Sequence, residues 1–285
     1  MIRFIKHSWL YFSFSGFLLI ISTFSLLKWG LLPSVDFQGG NLWEIGFEKE
    51  VNKEDWIGFV KGKDDILEVN QTGSQTWLIK SRPAAKDLKS TWQKEIENEF
   101  GSFAELRFES LSASLGHGLL TKTLISIGLA ILGILIYISF RFNDKAFGIC
   151  AILAMLHDSL ILLGSFSLLG RFFRIEVDSL FMTAFLTILA FSVHDTVVVF
   201  DGIREFGRVY PKAGFNQLAS LAINQTLVRS INNSMTIIFV LLSLFLLGGE
   251  STRYFSLALL IGTVLGTYSS TFIAVPLLVV WNRFF

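Results

Sequence analysis

FSVHDTVVVFDGIRE, residues 191–205, decides how the rest of the chain is read. Its opening continues an apolar run that starts near 179, and lipid would accept most of it. Yet His194 and Asp195 stand side by side within that run. An acidic group at the centre of a spanning helix costs about 2.5–3.5 kcal/mol on insertion scales, so it normally faces other helices or a water-filled path. Asp195 precedes Arg204 by nine residues, about 14 Å along a helix axis. Long basic side chains snorkel to an interface. Arg204 therefore marks a membrane edge, and Asp195 lies well inside.

Working outward, six apolar runs reach the roughly 20 residues that a bilayer requires: about 9–28, 120–140, 147–169, 179–200, 228–248 and 254–282. The chain is 52% hydrophobic and only 16% charged, which excludes an ordinary soluble domain of 285 residues. The first run follows Arg3 and Lys6 as a signal peptide would, but its apolar core is too long and no A-x-A-like site follows, so it is expected to be an uncleaved anchor. With the N-terminus inside, the short inner segments hold nine Lys/Arg (3, 6, 141, 145, 204, 208, 212, 229, 283) against three outside (171, 174, 253). That asymmetry predicts a cytoplasmic N-terminus. The single Cys150 excludes an intramolecular disulfide, and no His/Cys cluster suggests a metal. No cofactor motif is present, and nothing calls for a nucleic-acid partner.

Three regions follow: 1–32 with the first span, 33–118 as an extracytoplasmic domain, and 119–285 with five further spans. A basic amphipathic segment near 203–222 is expected to lie on the inner surface. Residues 33–118 carry fifteen Asp/Glu and ten Lys/Arg. NLWEIGF (41–47) alternates as a strand. NKEDWIGFVKG (52–62) starts at an Asn cap and spaces Trp56, Phe59 and Val60 at helical intervals. Residues 65–81 read as a hairpin turning near Gly73 and Ser74. Residues 83–100 form a second helix burying Leu88, Trp92 and Ile96, with Gly101 to end it, and 102–111 return as a strand. The order βαββαβ is the ferredoxin-like arrangement. The expected fold is thus an α-helical integral membrane protein with six transmembrane helices and a small α+β domain between helices 1 and 2. No catalytic set appears in that domain, so the chain reads as a binding or mechanical component and not an enzyme. VDFQGG (35–40) joins the first span to it; Gly39 and Gly40 permit unusual backbone angles and Asp36 suits a turn.

Inside the membrane half, His157 and Asp158 fall near the middle of the third span. His157 reads equally well as a core or a functional residue. In the fifth span, Thr226, Arg229, Asn233 and Thr236 recur at three- and four-residue spacing, a polar stripe on one side. Arg229 is expected to pair with Asp195. Burial favours the neutral acid and a guanidinium favours the anion, so an aspartate between the two can bind and release a proton. Arg229 itself does not titrate. Ser192, Thr196, Asn232 and Ser234 read as hydrogen-bonding glue between helices, and Asp201 and Glu205 as interfacial. Gly262 and Gly266 form a GxxxG pair for close helix packing.

These motifs resemble those of the SecF family over nearly the whole chain. VDFQGG resembles that family's D-F-x-G-G sequence, AMLHDSLILLG its A-x-x-H-D stretch, FSVHDTVVVFDGIRE its S-I-N-D-T-V-V-V-F-D-R-I-R-E block, and QTLVRSINNSMT its Q-T-L-x-R-T-I-N-T-S segment. The resemblance implies a resistance-nodulation-division type core shared with a SecD subunit of six helices. It implies use of the proton-motive force to help export secretory polypeptides across the bacterial cytoplasmic membrane, after the SecYEG channel and SecA have begun the work. The proton-linked aspartate falls on Asp195, the essential arginine on Arg229, and the junction motif on Asp36, Phe37, Gly39 and Gly40. Asp158 and His194 are further relay candidates. His194 departs from the family's usual Asn, Gly202 from its usual Arg, and Gln38 from a more usual Thr, Ser or Arg. Two other readings stand beside this one: a half-size proton-coupled exporter of lipids or small solutes, and an inert scaffold for a partner.

Overall fold

The computed structural model describes residues 7–61, 63, 66–82, 86–142 and 144–284. The chain divides into two compact units, residues 33–124 and the remainder. Arg3 and Lys6, used in the charge count, lie outside the described residues, as does the start of the helix expected from 83 and the side chain of Leu88.

In the first unit, α2 (Val35–Gln38) precedes β1 (Gly40–Phe47), α3 (Lys53–Lys61), β2 (Ile66–Gln71), β3 (Thr76–Ser81), α4 (Lys86–Phe100) and β4 (Phe103–Leu111). The sheet is antiparallel throughout, with strand order β2-β3-β1-β4. Alternation along β1 and β3 puts Trp43, Ile45, Phe47, Trp77 and Ile79 on one face. The helices cover that face with Trp56, Val60, Trp92 and Ile96. Asn52 Oδ1 accepts from the Glu54 amide at 2.9 Å, capping α3, and Gly101 takes φ 86° to close α4.

Among the described residues, six helical stretches are long and apolar enough to cross a membrane. They are α1 (Ser8–Trp29), α5 (Ala113–Arg141), α6 (Lys145–Phe173), α7 (Ser179–Val209), α8 (Phe215–Leu247), and a last span made of α9 (Glu250–Ser269), a π turn (Ser270–Ala274) and α10 (Val275–Phe284). The division between units falls inside α5, between Leu124 and Ile125. α5 begins several residues before the predicted boundary at 118, because Ser112 accepts the Leu115 and Gly116 amides and starts the helix there.

Lipid tails are as apolar as leucine, so close fit and polar contacts hold such helices together. Small residues supply the fit. A Cβ on Gly164 of α6 would lie 2.2 Å from Ser22 Cβ of α1, and one on Gly262 of α9 would lie 2.3 Å from Ile188 Cγ1 of α7. Ser25 donates to Ser167 at 2.7 Å, and Ser234 and Thr267 join α8 to α9 at 2.5 Å. The stretch near 203–222 holds the end of α7, which runs to Val209, a short turn, and the start of α8 at Phe215. A 33-residue helix is about 50 Å long against a hydrocarbon core of about 30 Å. The amphipathic character of this stretch is that of two protruding helix ends packed on each other through Gly202 and Ala222.

Candidate functional site

Asp195 is the seventeenth residue of the 31 in α7, and only 8% of its surface is exposed. Both carboxylate oxygens are occupied. Ser230 of α8 donates to Oδ1 at 2.8 Å, and Ser270 of the π turn donates to Oδ2. A second carboxylate is built in the same way. Asp158 Oδ2 accepts from Ser192 of α7 and Ser269 of α9, each at 2.6 Å, while Oδ1 lies 2.8 Å from His157 Nδ1. Two consecutive serines of the last span thus serve two carboxylates on two different helices.

The π turn makes this presentation possible. Pro276 has no amide hydrogen, and its ring crowds the carbonyl of the preceding turn, where Phe272 sits. The helix widens over Ser270–Ala274 in response. Gly266, one turn earlier, lets Phe191 and Ser192 of α7 approach, with Phe191 Cδ1 only 3.0 Å from where a Cβ would stand. Gly262 and Gly266 are therefore the contact by which α9 meets α7, and they hold Ser269 and Ser270 against the carboxylates.

The expected Asp195–Arg229 pair is not formed. Arg229 is exposed, and among the described residues it takes no ion pair or hydrogen bond. The reason is which side of α8 packs inward. Ala222, Thr226, Ser230 and Ser234 recur every four residues and are buried, whereas Arg229, Asn233 and Thr236 are exposed. Small side chains permit the close approach, and a guanidinium one position away points about 100° around the helix. The predicted stripe of Thr226, Arg229, Asn233 and Thr236 therefore does not form one packed face; only its first member is buried. His194 is also exposed, turned away from the carboxylate beside it.

Ser192, read as helix glue, does join helices, donating from α7 to Asp158 of α6. Thr196 bonds only its own helix, and Ser234 does join helices. Asp201 meets Arg141 of α5 as well as Arg204, which lies 3.5 Å away. This ties the end of α5 to α7 about two turns before Val209.

The VDFQGG motif forms α2 and its exit. Ser34 Oγ accepts the Asp36 amide at 3.2 Å, Phe37 is buried, and Gly39 and Gly40 take φ 77° and 148°. A Cβ on Gly40 would stand 2.6 Å from the Ser81 carbonyl oxygen, and one on Gly116 would stand 2.8 Å from the Gly39 nitrogen. The glycines are needed both for backbone angle and for space.

Three serines escaped the sequence reading. Ser230 follows Arg229, and its four-residue spacing from Thr226 and Ser234 was the available signal. Ser269 and Ser270 extend the small face of Gly262 and Gly266, and Pro276, just beyond them, marks a widened turn.

Six apolar spans enclosing two hydroxyl-ligated carboxylates define a multi-pass membrane protein with a polar centre. A family model described as protein export membrane protein SecD/SecF, C-terminal, matches residues 91–283. The chain is 41% identical to the protein translocase subunit SecF of Thermobaculum terrenum over 99% of this chain and 95% of that one. It is 36% identical to the SecF subunit of Anaerolinea thermophila over 99% and 94%. The crystal structure of SecDF, a translocon-associated membrane protein from Thermus thermophilus, matches at 29% identity with a TM-score of 0.86. That match covers 99% of this chain and 39% of the solved one, so the chain spans about two fifths of that protein. The chain belongs to the SecF family of protein translocase subunits and is a multi-pass protein of a bacterial membrane.

Proposed function

We propose that this chain is the SecF half of a proton-driven motor that helps draw secretory polypeptides out across the cytoplasmic membrane. Its partner is a SecD-like subunit with six helices, and the pair acts on chains already engaged by the SecYEG channel and SecA. The observation that carries the reading is Asp195: a carboxylate near the middle of a spanning helix, sealed from lipid and held by two hydroxyls. Serine donors accept either protonation state, since a hydroxyl can turn from donor to acceptor when the carboxyl gains a proton. A proton crossing the membrane potential releases about 2.3 kcal/mol per 100 mV. Each gain or loss at Asp195 re-orients its bonds to α8 and to the last span, and so changes how those helices pack.

Arg229 supports a site shared between two subunits. A guanidinium exposed midway along a spanning helix is costly unless something polar covers it. In the complex it faces the partner and moves toward Asp195 during the cycle. The N-terminus lies in the cytoplasm and the domain of residues 33–118 lies outside. The strand order β2-β3-β1-β4 with its βαββαβ sequence supports a ferredoxin-like domain there, rooted on the spans before and after it. That domain tilts with the membrane cycle and keeps exported chain from sliding back. VDFQGG is the junction through which the motion passes.

The test is export in inverted membrane vesicles carrying the complete translocase. Asp195→Asn is expected to abolish the acceleration of export by the proton-motive force while leaving ATP-driven initiation intact. Export that still responds fully to the gradient in Asp195→Asn contradicts the proposal.

A further inference from the structure

We propose that the His157–Asp158 pair is a second proton-binding centre of the relay, with His157 Nε2 taking the proton and Asp158 holding the ring in place. The inference rests on the proposed relay through Asp195 and extends it to a group on another helix.

Asp158 is 1% exposed and His157 6% exposed, both near the middle of α6. Asp158 receives Ser192 and Ser269 on one oxygen and His157 Nδ1 on the other. Two serine hydroxyls donating to one oxygen suit the ionised carboxylate, which can only accept at the other oxygen and so calls for Nδ1–H on His157. With Nδ1–H donating to that anion, the neutral ring leaves its lone pair on Nε2. This is how a carboxylate fixes the tautomer of a proton-accepting histidine. Nε2 is buried and has no hydrogen-bond partner among the described residues. A buried polar atom left so is unusual and marks a place for water or a transient proton. The π turn, which packs on α6, carries another such atom, Thr271 Oγ1.

The elements packed on α6 are α1, α7 and the last span. None of their other titratable groups bonds His157 or Asp158 among the described residues. Tyr268 bonds Ser15 and the Tyr11 carbonyl, and Lys28 lies over the Phe24 and Trp29 rings. Asp195 is held by Ser230 and Ser270, and His194 is exposed. Asp201, Arg204, Glu205 and Arg208 lie toward one end of α7, and Arg283 toward the end of α10.

In the step itself, a hydronium ion in water gives up one proton and an N–H bond forms at Nε2. The imidazolium charge is matched by the Asp158 carboxylate, and release to water reverses the step. No electrons are transferred. Because Ser269 and Ser270 are neighbours in one turn, a change at Asp158 reaches Asp195 through two hydrogen bonds and one peptide unit.

The experiment is nitrogen-15 magnetic resonance on histidine-labelled complex in lipid nanodiscs, titrated between about pH 5 and 8. The His157 signals are those lost in His157→Gln. The expected result is a neutral ring with Nδ1 protonated and Nε2 bare, shifting to the doubly protonated form within that range. Asp158→Asn should erase the Nδ1–H preference. A ring protonated at Nε2, or one unchanged across the range, overturns the inference. In the export vesicles, His157→Gln should lose the response to the proton gradient. If Asp195→Asn loses that response and His157→Gln keeps it, the dyad is outside the relay and this inference alone fails. If Asp195→Asn keeps it, the proposed relay itself fails.

Discussion

Gly262 gives the sharpest test of how packing supports the site. A methyl group there would stand 2.3, 2.5 and 2.6 Å from Ile188 Cγ1, Cδ1 and Cγ2. Ordinary contact begins at 3.4 Å, so three atoms of one side chain fall short of it by about 0.8–1.1 Å. Ile188 is buried and β-branched, and its χ1 has one strongly preferred well in a helix. It cannot swing aside, so α9 must move away from α7. Overpacking of this kind costs about 1–3 kcal/mol. Ile188→Ala removes all three clashing atoms and leaves a cavity worth about 2–5 kcal/mol. In the double variant the new methyl enters that cavity. The loss in the double variant should therefore fall short of the sum of the two single losses by at least about 1 kcal/mol, within the range measured for residues in contact. Equilibrium unfolding in mixed micelles of rising SDS content reads all four species. Losses that add to within about 0.5 kcal/mol would show that this contact does not set the α7–α9 spacing. The functional consequence goes further. Ser270 lies eight residues beyond Gly262, about 12 Å along the axis, so displacing α9 also withdraws a hydroxyl from Asp195. Gly262→Ala alone should weaken proton-dependent export, and Ile188→Ala in the same chain should restore part of it.

Other outcomes follow from neighbouring positions. At Gly202 an added Cβ meets Ala222 Cβ and Thr226 Cγ2 at 3.5 Å, ordinary contact, so Gly202→Ala should be neutral or raise stability by up to about 1 kcal/mol through helix propensity, read in the same unfolding assay. Trp56 is wholly buried at the centre of the 33–124 unit, and Trp56→Ala should cost about 3–5 kcal/mol and expose that unit to protease while the spans stay folded. Asp201→Asn removes the partner of Arg141 and Arg204, but these side chains are about a third exposed, so solvent screening limits the loss to about 1 kcal/mol or less, and proton-dependent export should persist.

The apolar runs were legible because span length depends only on composition and the thickness of a bilayer. The α+β unit was legible because alternation in NLWEIGF and helical spacing in Trp56, Phe59 and Val60 report burial against a single core. Asp195 and Asp158 stood out because a carboxylate in an apolar run has few structural uses. Ser192 and His157 stood out as polar residues near them, but Ser230, Ser269 and Ser270 did not. A serine in a membrane helix can bond its own backbone, as Thr196 and Thr226 do, and only the tertiary arrangement turns Ser230, Ser269 and Ser270 toward carboxylates. Charge complementarity pointed to Arg229, but helix geometry favoured the small residue next to it. Near 203–222 the amphipathic pattern reports one buried face, and the element that meets it at Gly202 and Ala222 is the end of another helix, which the pattern does not name.

The central claim is that protons cross by way of Asp195. Its most direct test is proton entry into liposomes holding this chain with its SecD-like partner, under an imposed pH gradient and with a stalled export substrate, followed by an internal pH-sensitive dye. The account predicts substrate-dependent acidification with the wild type and with Asp201→Asn, and none above protein-free liposomes with Asp195→Asn. Equal acidification by Asp195→Asn and the wild type would contradict it.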